Sequence, residues 1–463
     1  MHKKDIMPFH LFHHHGNHYV INIENMRVSS VDKITVKVLE MIFNKPETLL
    51  TSDMEEALKK LGLIYDGREK IENTAKVEHP SIINMALLLT QSCNLRCIYC
   101  YGDGGEYGIG GSMEEKTAWQ AVDWLIEQSG KVKKINIVFF GGEPFLNFPL
   151  MKTVVEYARK RVIELDKKVG FSVTTNATLL DDEKISFIKE NNIHIIISID
   201  GPKEIQDMQR PFAGGKGSYD VILPKIKKLL EVLPETRAHA VLVDDSKTHI
   251  IKNALQEIGF SEVSILPASE SLFDGEAAKM KRARKLDGVL KEMELEAEAW
   301  LHHTKNRDTN SLKNLMSSAQ LSEGLLSFLH NKKKQHACGA GIKFVGISCS
   351  GDIYLCHRFV GMDNYKLGNV FTKEIDREKY LKPPAAQMGE CLSCFARYYC
   401  AGGCKHDNAG SCSSAFKPSE DMCRFKRREA ELAAAVVSMF DDEDRVFLNE
   451  YEIFPPKQCP LDF

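Results

Sequence analysis

Apolar and polar positions change period several times along the 463 residues, and each change predicts a different element. His18 to Ile23 and Arg27 to Ser30 alternate as the two arms of a hairpin would. Residues 33–43 and 53–61 follow on helical spacing. The charged stretch Asp66 to His79, closed by Pro80, reads as a linker, so 1–80 are expected to form a small module. From 81 to about 270, apolar runs at 85–90, 135–140, 171–175, 194–199, 238–243 and 263–266 alternate with helical patterns. The helix expected at 113–129 carries a capping box, Ser112 with Glu115, and a stop signal, Gly130. Strands alternating with helices imply right-handed crossovers and a parallel sheet. Six such units make a partial barrel, short of a full eight. Residues 271–336 are charged and helical. Residues 337–425 are rich in Cys and Gly and poor in periodicity, so this region is expected to be organised by a metal rather than by a core of its own. A final helix at 426–440 and an acidic tail complete the chain, 426–463.

Composition narrows the class. Hydrophobic residues make up 43% and charged residues 27%, which is ordinary for a globular protein. A net charge of −3 points to no nucleic-acid or membrane partner. No apolar run approaches the roughly 20 residues needed to span a bilayer. The opening MHKKDIMPFHLFHHHG lacks an apolar core and a cleavage site, so a cytoplasmic location is expected. The 13 cysteines are therefore read in a reducing compartment, where clustered cysteines bind metal or do redox chemistry.

The first cluster, Cys93, Cys97 and Cys100 in CNLRCIYC, directly follows the strand at 85–90. That spacing lets one tight loop present three thiolates to one point. A cubane iron–sulfur cluster has four irons, so three ligands leave one iron open for chemistry; a zinc site is the alternative. Polar motifs then recur at strand ends. Gly141-Gly142-Glu143-Pro144 closes the second strand, Thr175-Asn176 the third, Ser198 and Asp200 the fourth, and Arg210 follows. Two glycines let backbone approach a ligand closely. Read singly, each of these motifs is a turn, a cap or a surface charge.

CxxxCxxC with the aromatic Tyr99 before its third cysteine resembles the signature of radical S-adenosylmethionine (SAM) enzymes. The resemblance implies a [4Fe-4S] cluster on Cys93, Cys97 and Cys100. It makes Glu143 the partner of the SAM ammonium, and Ser198, Asp200 and Arg210 partners of its ribose or carboxylate. It adds Tyr99, Gly141, Gly142, Thr175, Asn176 and Leu266 as cofactor contacts. The open iron would chelate SAM and yield a 5′-deoxyadenosyl radical, the cofactor carrying the hard step.

The second cysteine field runs Cys338, Gly351 before Cys356, Cys391-x-x-Cys394, Cys400, Cys404 and Cys423. It resembles the seven-cysteine SPASM pattern, with paired zinc ribbons as the alternative. The family pairing implies one cluster on Cys391, Cys394, Cys400 and Cys423 and another on Cys338, Cys356 and Cys404, three [4Fe-4S] clusters in all. The last set lacks an obvious fourth ligand: either Cys349 supplies it, or the site is open and takes a substrate thiolate. The stretches CYGDGGEYG, FFGGEPFLNFPL, RPFAGGKGSYD and CGAGIKFVGISCSGDIYLCHRFVG are similar to the thioether-forming branch of radical SAM/SPASM peptide maturases. That branch includes the ranthipeptide (freyrasin) and six-cysteine peptide maturases and the maturase of quinohaemoprotein amine dehydrogenase.

The expected activity is joining Cys sulfur to a β or γ carbon of Asp or Glu in a ribosomally made precursor peptide, with a low-potential electron donor. Other SPASM chemistry is the alternative: an α-carbon thioether, a carbon–carbon crosslink, or sulfatase-type oxidation of Cys or Ser to formylglycine. A non-catalytic zinc scaffold is the rival from another class. The first 80 residues resemble a winged-helix-like peptide-recognition module whose sheet edge takes up the leader peptide as an added strand; a mere capping domain is the alternative. His357 is either a base near the substrate or a donor to cluster sulfur. The histidines at 10, 13, 14, 15 and 18 are a metal site or a polar strand face, and Cys412 and Cys459 have no position in either pattern.

Overall fold

The computed structural model describes residues 6–44, 50–65, 79–243, 248–268, 286–318, 321–384 and 388–454. The expected linker falls almost wholly outside these, as does Cys459. The hairpin read from the sequence is β2 (Asn17–Asn22) against β3 (Val28–Val31), but β1 (Phe9–His14) precedes it and makes an antiparallel sheet ordered β1-β2-β3. Alternation gives this sheet two faces. Val20 packs with Leu39, Ile42, Leu58 and Leu63, which come from the helices α1 (Lys33–Asn44) and α2 (Ser52–Lys60) and the turn after them. Tyr19 and Ile21 face the other way and join the main core. The module therefore has a small core of its own and is also fused to the body. Its histidines are spread along the sheet: His13 opposes His18, and His10 stacks on Phe395 (ring centroids 3.5 Å) and meets Glu431 at 2.9 Å.

The main sheet grows from β4 (Asn84–Gln91), whose eight residues are all buried. On one side lie, in order, β6 (Lys134–Gly141), β7 (Lys168–Thr175), β8 (Ile193–Ser198), β9 (Arg237–Leu242) and β10 (Glu262–Pro267), all parallel. These are the six strands the sequence predicts, joined by helices. The short β5 (Gly111–Ser112) pairs with the end of β4. The helix expected from 113 runs Glu115–Gln128, and its cap is not the predicted box. Ser112 belongs to β5 and accepts a bond from Asn147 (3.0 Å), so it is spent on the sheet. Gly130 does end the helix in a left-handed conformation (φ +53°).

On the other side of β4, β11 (Phe344–Ile347) adds in parallel, followed by the antiparallel β12 (Asp352–Tyr354) and β13 (Lys366–Asn369). This corrects the expectation that the Cys-rich region has no core. Val345, Ile347, Ile353, Tyr354, Leu355 and Phe359 are buried in the same cluster as β4 and β6. Helices Leu286–Lys305, Thr309–Ser318 and Ser322–Leu329 fill the expected connector. The late helix starts earlier than expected, Glu420–Ser438, and so carries Cys423.

The acidic tail is also corrected, because it forms a helix, Asp442–Glu450, with a capping box between Asp441 and Asp444. Asp444 is fully buried and pairs with Arg307 (2.7 Å) and with Lys305. Burial raises its pKa, but the two cations and the Asp441 backbone N–H hold it below the ordinary value. Its stabilisation is therefore present above the unfolded carboxyl pKa and fades as pH falls through the folded one. Asp444→Ala should cost about 3 kcal/mol in denaturant unfolding at pH 7, whereas exposed Asp442→Ala should change it little; equal effects would show that the pairing carries nothing.

Candidate active site

The cysteine loop leaves β4 and is fixed by backbone bonds on two sides. Gly142 and Glu143 donate to Thr90 and Ser92 carbonyls (both 3.0 Å). Arg96, Ile98 and Ala213 tie residues 94–98 to the segment 209–213 at 2.8–3.0 Å. The two glycines of the Gly-Gly-Glu turn are there for space. A Cβ on Gly142 would lie 2.0 Å from the Ser92 oxygen, and one on Gly141 (φ +127°) 2.1 Å from the Thr90 oxygen.

Cys93, Cys97 and Cys100 feel one another electrostatically, and burial pushes the Cys93 thiol up to about 12 and Cys97 to about 11. Thiols so placed stay protonated unless a cation replaces the proton. Beyond them the structure gathers Glu143, Thr175, Asn176, Asp200 and Arg210. Glu143 is buried and accepts from Thr175 Oγ1 (2.8 Å) and the backbone N–H groups of Phe145 (3.1 Å) and Asn176 (2.8 Å). Burial nonetheless pushes its pKa up to about 7. Three donors leave one of a carboxylate's roughly four acceptor positions unfilled.

Asp200 differs, and the expectation of direct cofactor contact is corrected. Four donors fill it: Tyr99 OH (2.5 Å), Gln209 Nε2 (2.8 Å), Arg210 (2.9 Å) and Val241 N–H (2.9 Å). No acceptor position remains, so Asp200 holds Arg210 and Tyr99 in place rather than touching a ribose. The Tyr99 hydroxyl is likewise committed, and its ring lies 5.3 Å from the Arg210 guanidinium. Arg210 keeps its charge against burial because of Asp200, and its Nε is buried without a partner. Ser198 is half-buried at the end of β8 beside His239. Leu266 is exposed near the end of β10, opposite Val241.

The other cysteines fall into two groups. Cys391, Cys394, Cys400 and Cys423 line one cavity with Arg397, Lys426 and Arg427. Burial raises Cys391 to about 12 and Cys400 to about 11, while Lys426 opposes the rise at Cys400. Cys338 interacts with both Cys356 and Cys404, and Arg358 lies beside the last two. Cys349 is not brought to this group. It sits at the turn between β11 and β12, its thiol directed at the Leu88 (3.3 Å) and Gly111 (3.6 Å) carbonyls; its pKa is pushed up to about 12 by burial, with no thiol contributing. Cys412 interacts with Cys423.

His357 faces the barrel interior among Phe140 (4.5 Å), Phe344 (5.8 Å) and Tyr101 (6.2 Å). Burial and Arg358 push its pKa down to about 3, so it is neutral and accepts hydrogen bonds. A neutral ring suits either expected role, a base near the substrate or a partner of cluster sulfur. The sequence reading missed Gln209, Tyr101, His239 and Arg358. None carries a motif, and only Gln209 was signalled, by its place before Arg210.

Gly142→Ala should force the cysteine loop off Ser92. Limited proteolysis should then cut within residues 93–110 at least tenfold faster than in the parent, a factor equal to about 1.4 kcal/mol; an unchanged rate would mean the loop tolerates the methyl group.

A family model of the radical SAM superfamily matches residues 87–256. An uncharacterised protein of Methanocaldococcus jannaschii is 38% identical over 135 residues, 29% of this chain and 44% of that protein, so the chain spans less than half of that relative. A cysteine-type anaerobic sulfatase-maturating enzyme of Clostridium novyi is 25% identical over 337 residues, 69% of this chain and 86% of that enzyme. Among solved structures, native anSMEcpe with bound AdoMet superposes with a TM-score of 0.64 at 19% identity, covering 80% of this chain and 99% of that one, which shows a shared fold. No helix among the described residues is long and apolar enough to cross a membrane. The thiol loop after β4, the Gly-Gly-Glu turn at β6 and the matched span agree: this chain carries a radical SAM domain, and it is a radical SAM enzyme.

Proposed function

We propose that the enzyme matures a ribosomally made peptide by joining a cysteine sulfur to the β or γ carbon of an Asp or Glu. The observation that carries this is the group Cys338, Cys356 and Cys404, three thiols with no fourth cysteine beside them among the described residues and with His357 leading from them to the barrel interior. On this reading Cys93, Cys97 and Cys100 hold the first [4Fe-4S] cluster, Cys391, Cys394, Cys400 and Cys423 a second, and Cys338, Cys356 and Cys404 a third whose remaining corner receives the substrate thiolate. The buried thiols and the cations around them suit such anionic groups.

The first cluster with SAM supplies, when bound, a 5′-deoxyadenosyl radical able to take hydrogen from unactivated carbon. The protein's own part is placement. Glu143, with one acceptor position left, takes the SAM ammonium. Arg210, with its unpartnered Nε, takes the carboxylate, and Asp200 and Tyr99 hold Arg210 for it. The Gly141-Gly142 backbone, Thr175, Asn176, Ser198 and Leu266 border the nucleoside. Phe140, Phe344 and Tyr101 keep water from the reacting carbon, and the neutral His357 Nδ1 orients the substrate thiol. Overall two hydrogens leave per link, one in 5′-deoxyadenosine and one as a proton and an electron, the electron passing to a redox partner protein. The leader peptide extends the sheet at β3, whose outer edge is unpaired among the described strands, near Ile34, Met41 and Phe43, exposed side chains of α1.

The named activity of the Clostridium novyi relative favours a second reading, oxidation of Cys or Ser to formylglycine. Product mass separates the two: a thioether loses two hydrogens and its free thiol, whereas formylglycine made from Cys loses sulfur.

Anaerobically reconstituted enzyme should hold about three cubane clusters, roughly twelve irons per chain, and Cys93→Ala should abolish 5′-deoxyadenosine formation; iron for one cluster alone would remove the auxiliary sites. Asp200→Asn should weaken SAM binding about tenfold by calorimetry, since Arg210 loses its anchor; unchanged affinity would dissociate Arg210 from SAM.

A further inference from the structure

His406 stands two residues after Cys404, at the start of the helix Lys405–Cys412. It is fully buried, and among the described residues it is the one histidine with both ring nitrogens buried and unpartnered. Its nearest recorded acceptor is Asp407 Oδ1, 3.7 Å from Nδ1 and beyond hydrogen-bond range. Phe359 (5.2 Å) and Tyr101 (5.7 Å) pack edge-on against the ring. Arg358, beside Cys356 and Cys404, also meets Asp407 at 3.3 Å, which places imidazole, carboxylate and thiols in one neighbourhood.

Two other histidines adjoin this cysteine group. His336, two residues before Cys338, is hydrogen-bonded to the Leu381 backbone, and it and His357 each leave only Nδ1 unpartnered. A neutral His406 with its Nδ1 proton turned toward Asp407 would leave a bare lone pair on Nε2. Metal-bound histidines show that arrangement, with a carboxylate fixing the tautomer from behind.

We propose that His406 Nε2 is the fourth protein ligand, in the resting enzyme, of the cluster held by Cys338, Cys356 and Cys404. The inference rests on the proposed function in taking that group to be a cluster site. It also says how the site stays intact without substrate. Iron–sulfur iron prefers soft thiolate to imidazole, so an incoming peptide thiolate exchanges for neutral His406 with no change in iron oxidation state. Imidazole ligation in place of thiolate raises a cluster's potential.

The test is pulsed electron paramagnetic resonance on reduced holoenzyme grown with 15N-histidine. Wild type should show a directly bound nitrogen coupled to an auxiliary cluster. His406→Ala should lose it, and His336→Ala and His357→Ala should keep it. His406→Cys should retain the full iron content, lose the coupling and lower that cluster's potential, which covers the case in which the alanine variant fails to fold. Adding 2-mercaptoethanol as a thiolate probe should diminish the wild-type coupling. Three clusters with no nitrogen coupling, or a coupling that survives in His406→Cys, would overturn the ligand assignment alone. Iron for fewer than three clusters, unaltered by Cys338→Ala, would overturn the auxiliary site itself and the ligand with it.

Discussion

Crowded, buried thiols are the constraint on which the rest of this structure turns. Cys93, Cys356 and Cys391 are each pushed up to about 12, chiefly by burial and next by a neighbouring carboxylate or thiol. Thiols so raised cannot ionise side by side in such surroundings unless positive charge enters among them. The fold supplies some of it. Arg210 lies against Cys97, Arg358 against Cys356 and Cys404, and Lys426 and Arg427 against the four-cysteine group. On the proposed reading iron supplies the rest, so ligand binding and local folding become one equilibrium.

That constraint explains why the Cys-rich region is welded to the barrel. A region organised by metal alone would unfold whenever the metal left. Here β11 extends the parallel sheet beyond β4 with Phe344 opposite Asn84 and Ile347 opposite Leu87, and Val345 and Ile347 are fully buried beside it. Close approach at one point makes the join possible. A Cβ on Gly346 would sit 2.6 Å from the Cys356 carbonyl carbon and the His357 nitrogen, so only glycine lets the chain after β12 fold back into the barrel. The sheet thus sets the position of Cys356 before any cluster does.

The six parallel strands were legible because buried strands leave apolar runs that no neighbour can disguise, and the glycines of the Gly-Gly-Glu turn because their need for space is local. What failed depended on tertiary pairing. Ser112 has the right spacing for a cap, but β4 recruits it into β5. Asp444 looks like one more solvated acid until Lys305 and Arg307, far away in sequence, meet it. Cys349 lies seven residues from Cys356, yet a hairpin turn puts it at the opposite end of β12, a separation that spacing alone does not encode. Asp200 ends a strand as the pattern requires, but only the packing shows that its four acceptor positions are already taken. His357 follows its cysteine as expected, and its buried ring environment beside Arg358, not its position, keeps it neutral.

The N-terminal sheet belongs to the same chain of constraint. Several of its contacts with the body fall on the residues between Cys394 and Cys400. His10 stacks on Phe395, Glu24 pairs with Arg397, and the Tyr398 hydroxyl donates to Glu24 at 3.3 Å. Glu24 and Arg397 are both largely buried, a setting in which losing one partner is costly. The module that would take up a leader peptide therefore grips the loop that spans two of the four thiols in the second auxiliary group. Any shift of that sheet on binding a strand reaches those cysteines through three side-chain contacts, while the five strands β6 to β10 lie on the far side of β4 from the Cys-rich region.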